Sequence, residues 1–187
     1  LEAGADVKAR NGLRLTPLMC AAMSNSNPAI VEVLLAAGAD LNDKDWFRGQ
    51  PILANAAASN PNPEVLSALI KAGADVNEKG IDGATALMNA AQLNRNPLTA
   101  RVLIDAGADV HAVDKNGATA LMRASRYTRE PEVISLLLEA GSDIHAGDKN
   151  GLTALMYFVR YNVDSGLMET LLKAGADLHG SDLEGRT

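Results

Sequence analysis

The sequence predicts an all-α solenoid, in which similar helix-turn-helix units stack side by side in chain order. Three observations support this fold class: one motif recurs along the chain, each copy holds two short helical segments, and tight turns separate the copies. The recurring marker is Gly-Ala-Asp or Gly-Ser-Asp, and consecutive copies lie 34, 35, 34, 34 and 34 residues apart. The copies begin at Gly4, Gly38, Gly73, Gly107, Gly141 and Gly175. Such a period indicates stacked units of one supersecondary motif.

One complete unit, residues 114–146, shows how each element follows from the sequence. Residues 119–126 contain no Pro or Gly and carry small or apolar side chains, so they suit a short first helix. Pro131 opens the second helix, because the first helical position needs no N–H and already has the φ of proline. Val, Ile and Leu cover most of that helix, which predicts burial on more than one side. Gly141 follows as its C-terminal cap, and the Asn-Gly pair at 150–151 predicts a tight turn with positive φ.

This order of turn, first helix, second helix and Gly-Ala-Asp resembles the ankyrin repeat. The family motif reads approximately D-x-x-G-x-T-P-L-H-x-A-A, then a helix rich in Val and Leu, then G-A-D-V-N-A. Its counterparts here are TPLMCAA from Thr16, TALMNAA from Thr85, TALMRAS from Thr119 and TALMYFV from Thr153. Met replaces the family's His, so the hydrogen bonds of that His are not carried over. The resemblance covers essentially all 187 residues and implies an ankyrin-repeat solenoid with β-hairpin-like turns.

We expect a single array over residues 1–187, built from five helix pairs with a partial repeat at each end. The repeats should span about 16–49, 50–84, 85–118, 119–152 and 153–181, with partial repeats at 1–15 and 182–187. The first helices should open near Thr16, Pro51, Thr85, Thr119 and Thr153. The second helices should follow Asn27, Asn62, Asn96, Glu130 and Asp164. The partial repeats predict that the chain is a fragment of a longer protein.

Two turns depart from the repeated pattern. The single 35-residue step places an additional residue in the turn at 45–49, which also contains the only Trp. In the first turn, Gly12 lies two positions earlier than Gly117 does in its own repeat. We therefore expect that hairpin to have a different tip.

Composition and charge narrow the classes of partner. The formal net charge of −6 and the pI of about 5.0 argue against a nucleic-acid duplex as the main ligand. Cys20 is the only cysteine, which excludes an internal disulfide and a cysteine-based metal cage. The compartment stays open, with the reduced cytosol favoured. No apolar run approaches the length of a membrane span, so we expect no membrane insertion of this region, and we expect a monomer.

The histidines and aspartates that recur once per repeat are candidates for metal binding or catalysis. His111, His145 and His179 lie one period apart, yet equivalent positions on packed neighbouring helices are about 8–10 Å apart, too far to share one metal ion. We interpret these histidines as polar side chains that hydrogen-bond between adjacent turns. The Asp of each marker is interpreted as a partner of backbone amides, because copies of one environment do not make the unlike pair that acid–base chemistry needs. We find no catalytic motif and expect no enzyme activity, cofactor or metal.

Information about a partner lies where the repeats differ, and the family resemblance assigns such positions to the turn tips and the concave side of the first helices. Three columns of equivalent first-helix residues change from small and neutral in the N-terminal repeats to Arg and Tyr in the C-terminal ones. The first column is Cys20, Asn55, Asn89, Arg123 and Tyr157, the second is Met23, Ala58, Gln92, Arg126 and Arg160, and the third is Ser24, Ser59, Leu93, Tyr127 and Tyr161. Arg and Tyr are enriched at binding hot spots. The candidate partner-binding residues are Trp46, Phe47, Arg48, Gln92, Leu93, Arg123, Arg126, Tyr127, Tyr157, Arg160 and Tyr161. The alternative is that the Tyr rings cover the hydrophobic layer, each Arg is solvated, and the turn aromatics fold back over a neighbouring turn.

The sequence therefore predicts a non-catalytic scaffold that binds another protein through the concave face and the turn tips. Arg126 and Arg160, beside Tyr127 and Tyr161, should take an acidic or extended segment of that protein. The alternative function is a regulatory or substrate-recruiting arm of a larger enzyme or membrane protein whose active part lies outside this chain. A third hypothesis places a small-molecule site among the same Arg and Tyr residues.

Overall fold

Ten short α-helices form five helix pairs in the computed structural model, which describes residues 4, 6–46, 49–128, 130–162 and 164–185. The first helices of the pairs are α1 (Pro17–Ser24), α3 (Ile52–Ser59), α5 (Ala86–Leu93), α7 (Ala120–Tyr127) and α9 (Ala154–Tyr161). The second helices are α2 (Pro28–Ala36), α4 (Pro63–Lys71), α6 (Pro97–Asp105), α8 (Pro131–Glu139) and α10 (Ser165–Lys173). Apart from one isolated bridge between Lys44 and Pro51, these described residues contain no β-structure. The predicted all-α class is confirmed.

The helix pairs stack in chain order, as the repeat predicts. The first helices contact one another in the row α1, α3, α5, α7, α9, and the second helices in the row α2, α4, α6, α8, α10. Each first helix also contacts the second helix of its own pair. Equivalent leucines of the two rows form the core between them, namely Leu18, Leu53, Leu87, Leu121 and Leu155 from the first helices and Leu69, Leu103, Leu137 and Leu171 from the second. Each layer thus buries the apolar side of its neighbour.

Side-chain caps set the starts of most helices. Thr16, Thr85, Thr119 and Thr153 accept a bond from the backbone N–H of the third residue of their helices, with N–O distances of 3.3–3.4 Å. Asn27, Asn62, Asn96 and Asp164 cap the second helices in a similar way. Glu130 holds the same position before α8 without a side-chain bond, since its longer side chain is a poor N-cap. The predicted helix starts are confirmed.

The hairpins between pairs share one backbone frame. In the hairpin that precedes α7, Asp114 N donates to Ala118 O at 3.1 Å, and Gly117 N donates back to Asp114 O at 3.0 Å. Gly117 has a φ of +82°, and a Cβ there would lie 2.9 Å from the backbone N of Lys149. Glycine is therefore required both for its left-handed conformation and for the close approach of the next hairpin. In the predicted Asn-Gly turn at 150–151 only the glycine has a positive φ.

The first hairpin keeps the same frame, so the prediction of a different tip from Gly12 was wrong. Asn11 N donates to Leu15 O at 3.0 Å, and Arg14 N donates to Asn11 O at 2.8 Å. Arg14 therefore stands where the other hairpins have glycine, with a φ of +56°. The Asn11 side chain also accepts from the N–H of Leu15 at 3.0 Å, so local bonds impose a left-handed conformation that costs a non-glycine residue free energy.

The second hairpin contains the predicted additional residue. Asp45 N donates to Gln50 O at 3.1 Å, so this turn closes over one more residue than the bond from Asp114 N to Ala118 O does. Within it, Phe47 and Arg48 lie outside the described residues. The position of the insertion is confirmed.

The recurrent aspartates bind backbone amides, as interpreted from the sequence. Each accepts from the N–H two residues later at 2.8–2.9 Å, and the set is Asp6, Asp40, Asp75, Asp109, Asp143 and Asp177. The interpretation of His111, His145 and His179 was wrong, because their side chains are exposed and make no hydrogen bond within the described residues. Asn77 occupies the position equivalent to these histidines in an earlier repeat, and it does join neighbouring turns. Its amide donates to Gly107 O at 3.0 Å and accepts from Asp109 N at 2.8 Å.

Candidate functional site

In three of its five positions, the first of the variable columns joins a first helix to an aspartate of the hairpin that precedes it. Arg123 donates from Nη2 and Nε to Asp114 Oδ2, at 2.7 and 3.1 Å. Tyr157 donates from its hydroxyl to Asp148 Oδ2 at 2.8 Å, and Asn55 donates from Nδ2 to Asp45 Oδ2 at 3.0 Å. Three unlike side chains therefore make the same contact. We call this contact the helix–hairpin brace.

The charge of Arg123 is balanced within the chain. Its side chain is 15% exposed, and that of Asp114 only 5%. Nη1 of Arg123 donates to Gln92 Oε1 at 3.0 Å, and the carboxylate of Asp82 lies 3.8 Å away. The fold thus brings hairpin carboxylates onto the first helices, where they balance the charge of Arg123.

Tyr157 also contributes mainly to the internal frame. Burial raises the pKa of Tyr157 to about 12, and the hydrogen bond to the Asp148 carboxylate acts in the same direction. The phenol therefore keeps its proton and donates it at neutral pH. Its ring stacks with that of Tyr161, with centroids 6.2 Å apart and an interplanar angle of 29°.

Residues of the other two columns form a cluster of alternating cations and rings. The Arg126 guanidinium carbon lies 4.0 Å from the ring centroid of Tyr161 and 4.7 Å from that of Tyr127. The corresponding distance from Arg160 to the Tyr161 ring is 5.4 Å. We call Arg126, Tyr127, Arg160 and Tyr161 the Arg/Tyr cluster. Rings at this distance attract a guanidinium electrostatically and restrict its orientation.

The Arg/Tyr cluster is accessible and not internally neutralised. Tyr127 and Tyr161 are each 45% exposed, and Arg160 is exposed. Nε of Arg126 is buried without a hydrogen-bond partner, and no described carboxylate forms an ion pair with Arg126. This arginine therefore differs from Arg123, whose guanidinium is fully engaged.

A polar cavity of about 230 Å³ lies beside the cluster, where the third and fourth helix pairs meet. Its lining includes Gln92, Asp82, Asp114, Arg126 and Tyr127. Leu93, at the end of α5, is 54% exposed near this junction. The structure therefore brings Gln92, Arg123, Arg126, Tyr127 and Tyr157 of the candidate set to one cavity.

The turn aromatic lies at the other end of the molecule. Trp46 is 59% exposed, and the guanidinium carbon of Arg14 lies 5.5 Å from its ring centroid. Phe47 and Arg48, predicted beside it, fall outside the described residues. Sequence reasoning missed three exposed apolar tip residues, Leu13 (68%), Ile81 (65%) and Leu183 (78%), although an apolar residue inside a polar turn was a visible signal.

Neither a metal centre nor a membrane span is found among the residues that the structure describes. They contain no group of three or more His, Cys, Asp or Glu side chains that could hold a metal ion. None of their helices is long and apolar enough to cross a bilayer. Cys20 is partly buried, and Asn11 Nδ2 donates to its sulfur at 3.7 Å.

Comparison with known proteins identifies the repeated unit. The family model for three copies of the ankyrin repeat matches residues 53–148, and the model for a single ankyrin repeat matches residues 14–46. A search of curated proteins returned no match. Ankyrin repeats generally mediate protein–protein interaction, and proteins built from them are typically non-catalytic.

Proposed function

The chain belongs to the ankyrin repeat family, and from this premise we propose that it is a non-catalytic scaffold that binds another protein. The partner lies along the concave face of the first helices and contacts the turn tips. The observation that carries the proposal is Arg126, which stacks on Tyr127 and Tyr161 and forms no ion pair with a described carboxylate. A guanidinium held in this way is ready to bind an anion.

The chemistry of the cluster favours an acidic, extended segment of the partner. Because Tyr rings cover parts of the guanidinium faces and Nε is buried, a carboxylate reaches Arg126 along the edge formed by Nη1 and Nη2, where two N–H groups can pair bidentately. Arg160 adds a second cation one repeat later, and an extended chain can span that step. Tyr127 and Tyr161 supply apolar area and hydroxyl groups at the same place.

The candidate residues then fall into two groups: those that contact the partner and those that hold the binding face in place. Arg126, Tyr127, Arg160 and Tyr161 touch the partner, with Gln92 and Leu93 at the edge of the same surface. Arg123 and Tyr157 act through the helix–hairpin brace, since their polar groups are already bonded to Asp114 and Asp148. Trp46, Phe47 and Arg48 form a separate contact at the second hairpin tip.

A labelled peptide tests the proposal directly. The probe is a fluorescein-labelled 12-residue peptide of alternating Glu and Ser, compared with its Gln-Ser analogue by fluorescence anisotropy at low salt. Arg126→Glu/Arg160→Glu should weaken binding of the acidic peptide by at least about tenfold, because each reversal replaces attraction by repulsion.

The matched control reverses two cations in the other row of helices. Arg101→Glu/Lys173→Glu makes the same change in net charge, on α6 and α10, and should leave the affinity nearly unchanged. Equal weakening by both double variants, or equal binding of the Glu and Gln peptides, would show that the Arg/Tyr cluster is not the binding site.

A further inference from the structure

We infer that the binding face contains a hinge at one place, the junction between the third helix pair (α5 and α6) and the fourth (α7 and α8). The hinge itself follows from hydrogen bonds inside the chain. Its consequence for a partner rests on the proposed function, because it concerns the width of the same first-helix face beside Arg126.

At the other three junctions, asparagine amides tie the loops that follow the first helices. Asn60, for example, donates from Nδ2 to Ala22 O at 2.8 Å and to Asn25 O at 3.0 Å, both in the preceding repeat. Its Oδ1 accepts from Asn62 N at 2.9 Å, inside its own loop. One side chain thus shapes a loop and joins it to the previous one. We call this set of bonds between successive loops the asparagine ladder. Its other donors are Asn94 and Asn162, with N–O distances of 2.9–3.2 Å.

At the junction between α5 and α7, asparagine occupies neither of the two equivalent positions, 128 and 130. Thr128 takes the equivalent position, and its hydroxyl accepts from Glu130 N at 3.1 Å, so the local turn is kept. The Thr128 side chain makes no hydrogen bond to the preceding loop among the residues described there. Glu130 stands where Asn62 and Asn96 each donate to a carbonyl of the preceding loop, at 2.6 and 3.0 Å. A carboxylate has no N–H with which to replace that bond.

The hairpin end of the same junction is tied in two ways. Lys115 N donates to Asp82 O at 3.0 Å, and Lys79 Nζ donates to Val113 O at 3.0 Å. The first helices run from the hairpins to the loops. The hairpin ends of α5 and α7 are therefore joined by hydrogen bonds, whereas Thr128 and Glu130 add none between the described residues at the loop ends. The easiest motion of the fourth helix pair relative to the third is then a rotation about the hairpins that separates the loop ends of α5 and α7.

This rotation changes the face where the partner is proposed to lie. Gln92 and Leu93 end α5, and Arg126 and Tyr127 end α7, so opening widens the gap between these two pairs of residues. The bond from Arg123 to Gln92, at 3.0 Å, crosses the junction and is the first to lengthen. A partner can therefore place a bulky side chain beside Arg126 without unfolding either helix pair.

Distances between paired spin labels test the hinge in the intact chain. In a Cys20→Ser background, labels at Arg95→Cys/Glu132→Cys report the loop end of the α5–α7 junction. Labels at Pro61→Cys/Leu98→Cys occupy the same two positions one repeat earlier, at a junction with the asparagine ladder. All four sites are exposed, so labelling should not disturb the core.

The distance distribution should be at least about twice as wide for the 95/132 pair as for the 61/98 pair, as hinge motion about one end of a contact requires. Thr128→Asn/Glu130→Asn restores the ladder and should narrow the 95/132 distribution to the width of the control. Equal widths at the two junctions, or a width that the restored ladder leaves unchanged in a folded variant, would overturn the inference.

Hydrogen exchange of the unmodified protein gives an independent measurement. The Glu130 amide should exchange about tenfold faster than the Asn96 and Asp164 amides, since one or two net hydrogen bonds change a local opening equilibrium by that factor. Equal rates would contradict the hinge. The peptide assay tests the proposed function separately, because Arg126→Glu/Arg160→Glu alters the anion site and leaves Thr128 and Glu130 as they are.

Discussion

The first-helix faces of the second and fourth helix pairs have the same frame and expose different chemistry. Leu53 and Leu121 are buried at the same position of α3 and α7. Asn55 braces the second pair through Asp45 at 3.0 Å, and Arg123 braces the fourth through Asp114 at 2.7 Å. The helix position that forms the brace can therefore hold either an amide or a guanidinium side chain, provided that this side chain reaches the hairpin carboxylate.

The two faces diverge one helical turn beyond the brace. The second pair has Ala58 and Ser59 there, and the Ser59 hydroxyl donates a hydrogen bond to the backbone carbonyl of Asn55 at 3.0 Å. The fourth pair has Arg126 and Tyr127, which stack on one another instead of bonding to the backbone. Variation between repeats is therefore informative about a partner only at positions that the frame does not use.

The loss of a core leucine has the largest expected effect on stability and tests whether the second and fourth helix pairs share the same core packing. Leu69 of α4 and Leu137 of α8 are equivalent and fully buried. Each Leu→Ala change should lower the free energy of unfolding by about 2–5 kcal/mol through the cavity left behind. Urea unfolding measures both. An unfolding transition that barely moves for Leu137→Ala would show that the core is placed wrongly.

Two glycines separate backbone strain from close approach. Gly107 has a φ of +88° and no atom within 4 Å of an added Cβ, so Gly107→Ala should cost only the left-handed conformation, about 1–2 kcal/mol. Gly117→Ala should cost about 1 kcal/mol more, because the Cβ also meets the next hairpin. Thermal or urea unfolding compares them. Equal costs would mean that the hairpins do not pack as closely as the structure has them.

The braces should differ in strength. Arg123→Ala leaves Oδ2 of the buried Asp114 without its two donated bonds and should cost about 1–3 kcal/mol. Asn55→Ala should cost about 0.5–1.5 kcal/mol, since Gln50 N still donates to Asp45 Oδ2 at 3.1 Å. Urea unfolding gives these values. In the peptide assay Arg123→Ala should change affinity far less than Arg126→Glu/Arg160→Glu, and a comparable loss would make Arg123 a contact residue.

The smallest effect is confined to high pH. The folded state raises the pKa of Tyr157 from 10.0 to about 12, so it holds a proton that the unfolded chain loses. The resulting stabilisation is complete below about pH 10 and is lost as the pH rises through about 12. Tyr157→Phe should remove this dependence. Absorbance at 295 nm measures it: one phenol of the native protein should ionise near pH 12 and be missing from the variant.

Much of the fold was predictable because the signals are local. Thr and Asn-Pro mark helix starts, since the cap and the first turn lie within a few residues of one another. The glycine of each marker ends a second helix for the same reason. The left-handed conformation of Arg14 was not predicted. The hydrogen bonds that impose it involve Asn11 and Leu15, and an arginine at position 14 gives no sign of them.

The candidate site was predictable in composition but not in the roles of its members. The three columns correctly grouped residues on one helix face, because positions three and four apart always share a face. Whether a given arginine is neutralised depends on a hairpin nine residues away, as the pair formed by Arg123 and Asp114 shows. The difference between Arg123 and Arg126 is therefore invisible in a helical pattern.

By itself, the sequence determined the repeat, the helix limits and the surface on which the repeats differ, since each of these follows from local backbone preference or from periodicity. The tertiary structure decided which charges are balanced, which arginine is stacked between rings and which junction lacks its asparagine ladder. The charge of Arg123 is balanced mainly by Asp114, in a hairpin nine residues away. The stacking of Arg126 on Tyr161 and the asparagine ladder depend on contacts between neighbouring repeats, more than thirty residues apart in the chain, as in the bond from Asn94 to Ala57. Contacts of that kind form only when one layer packs on the next.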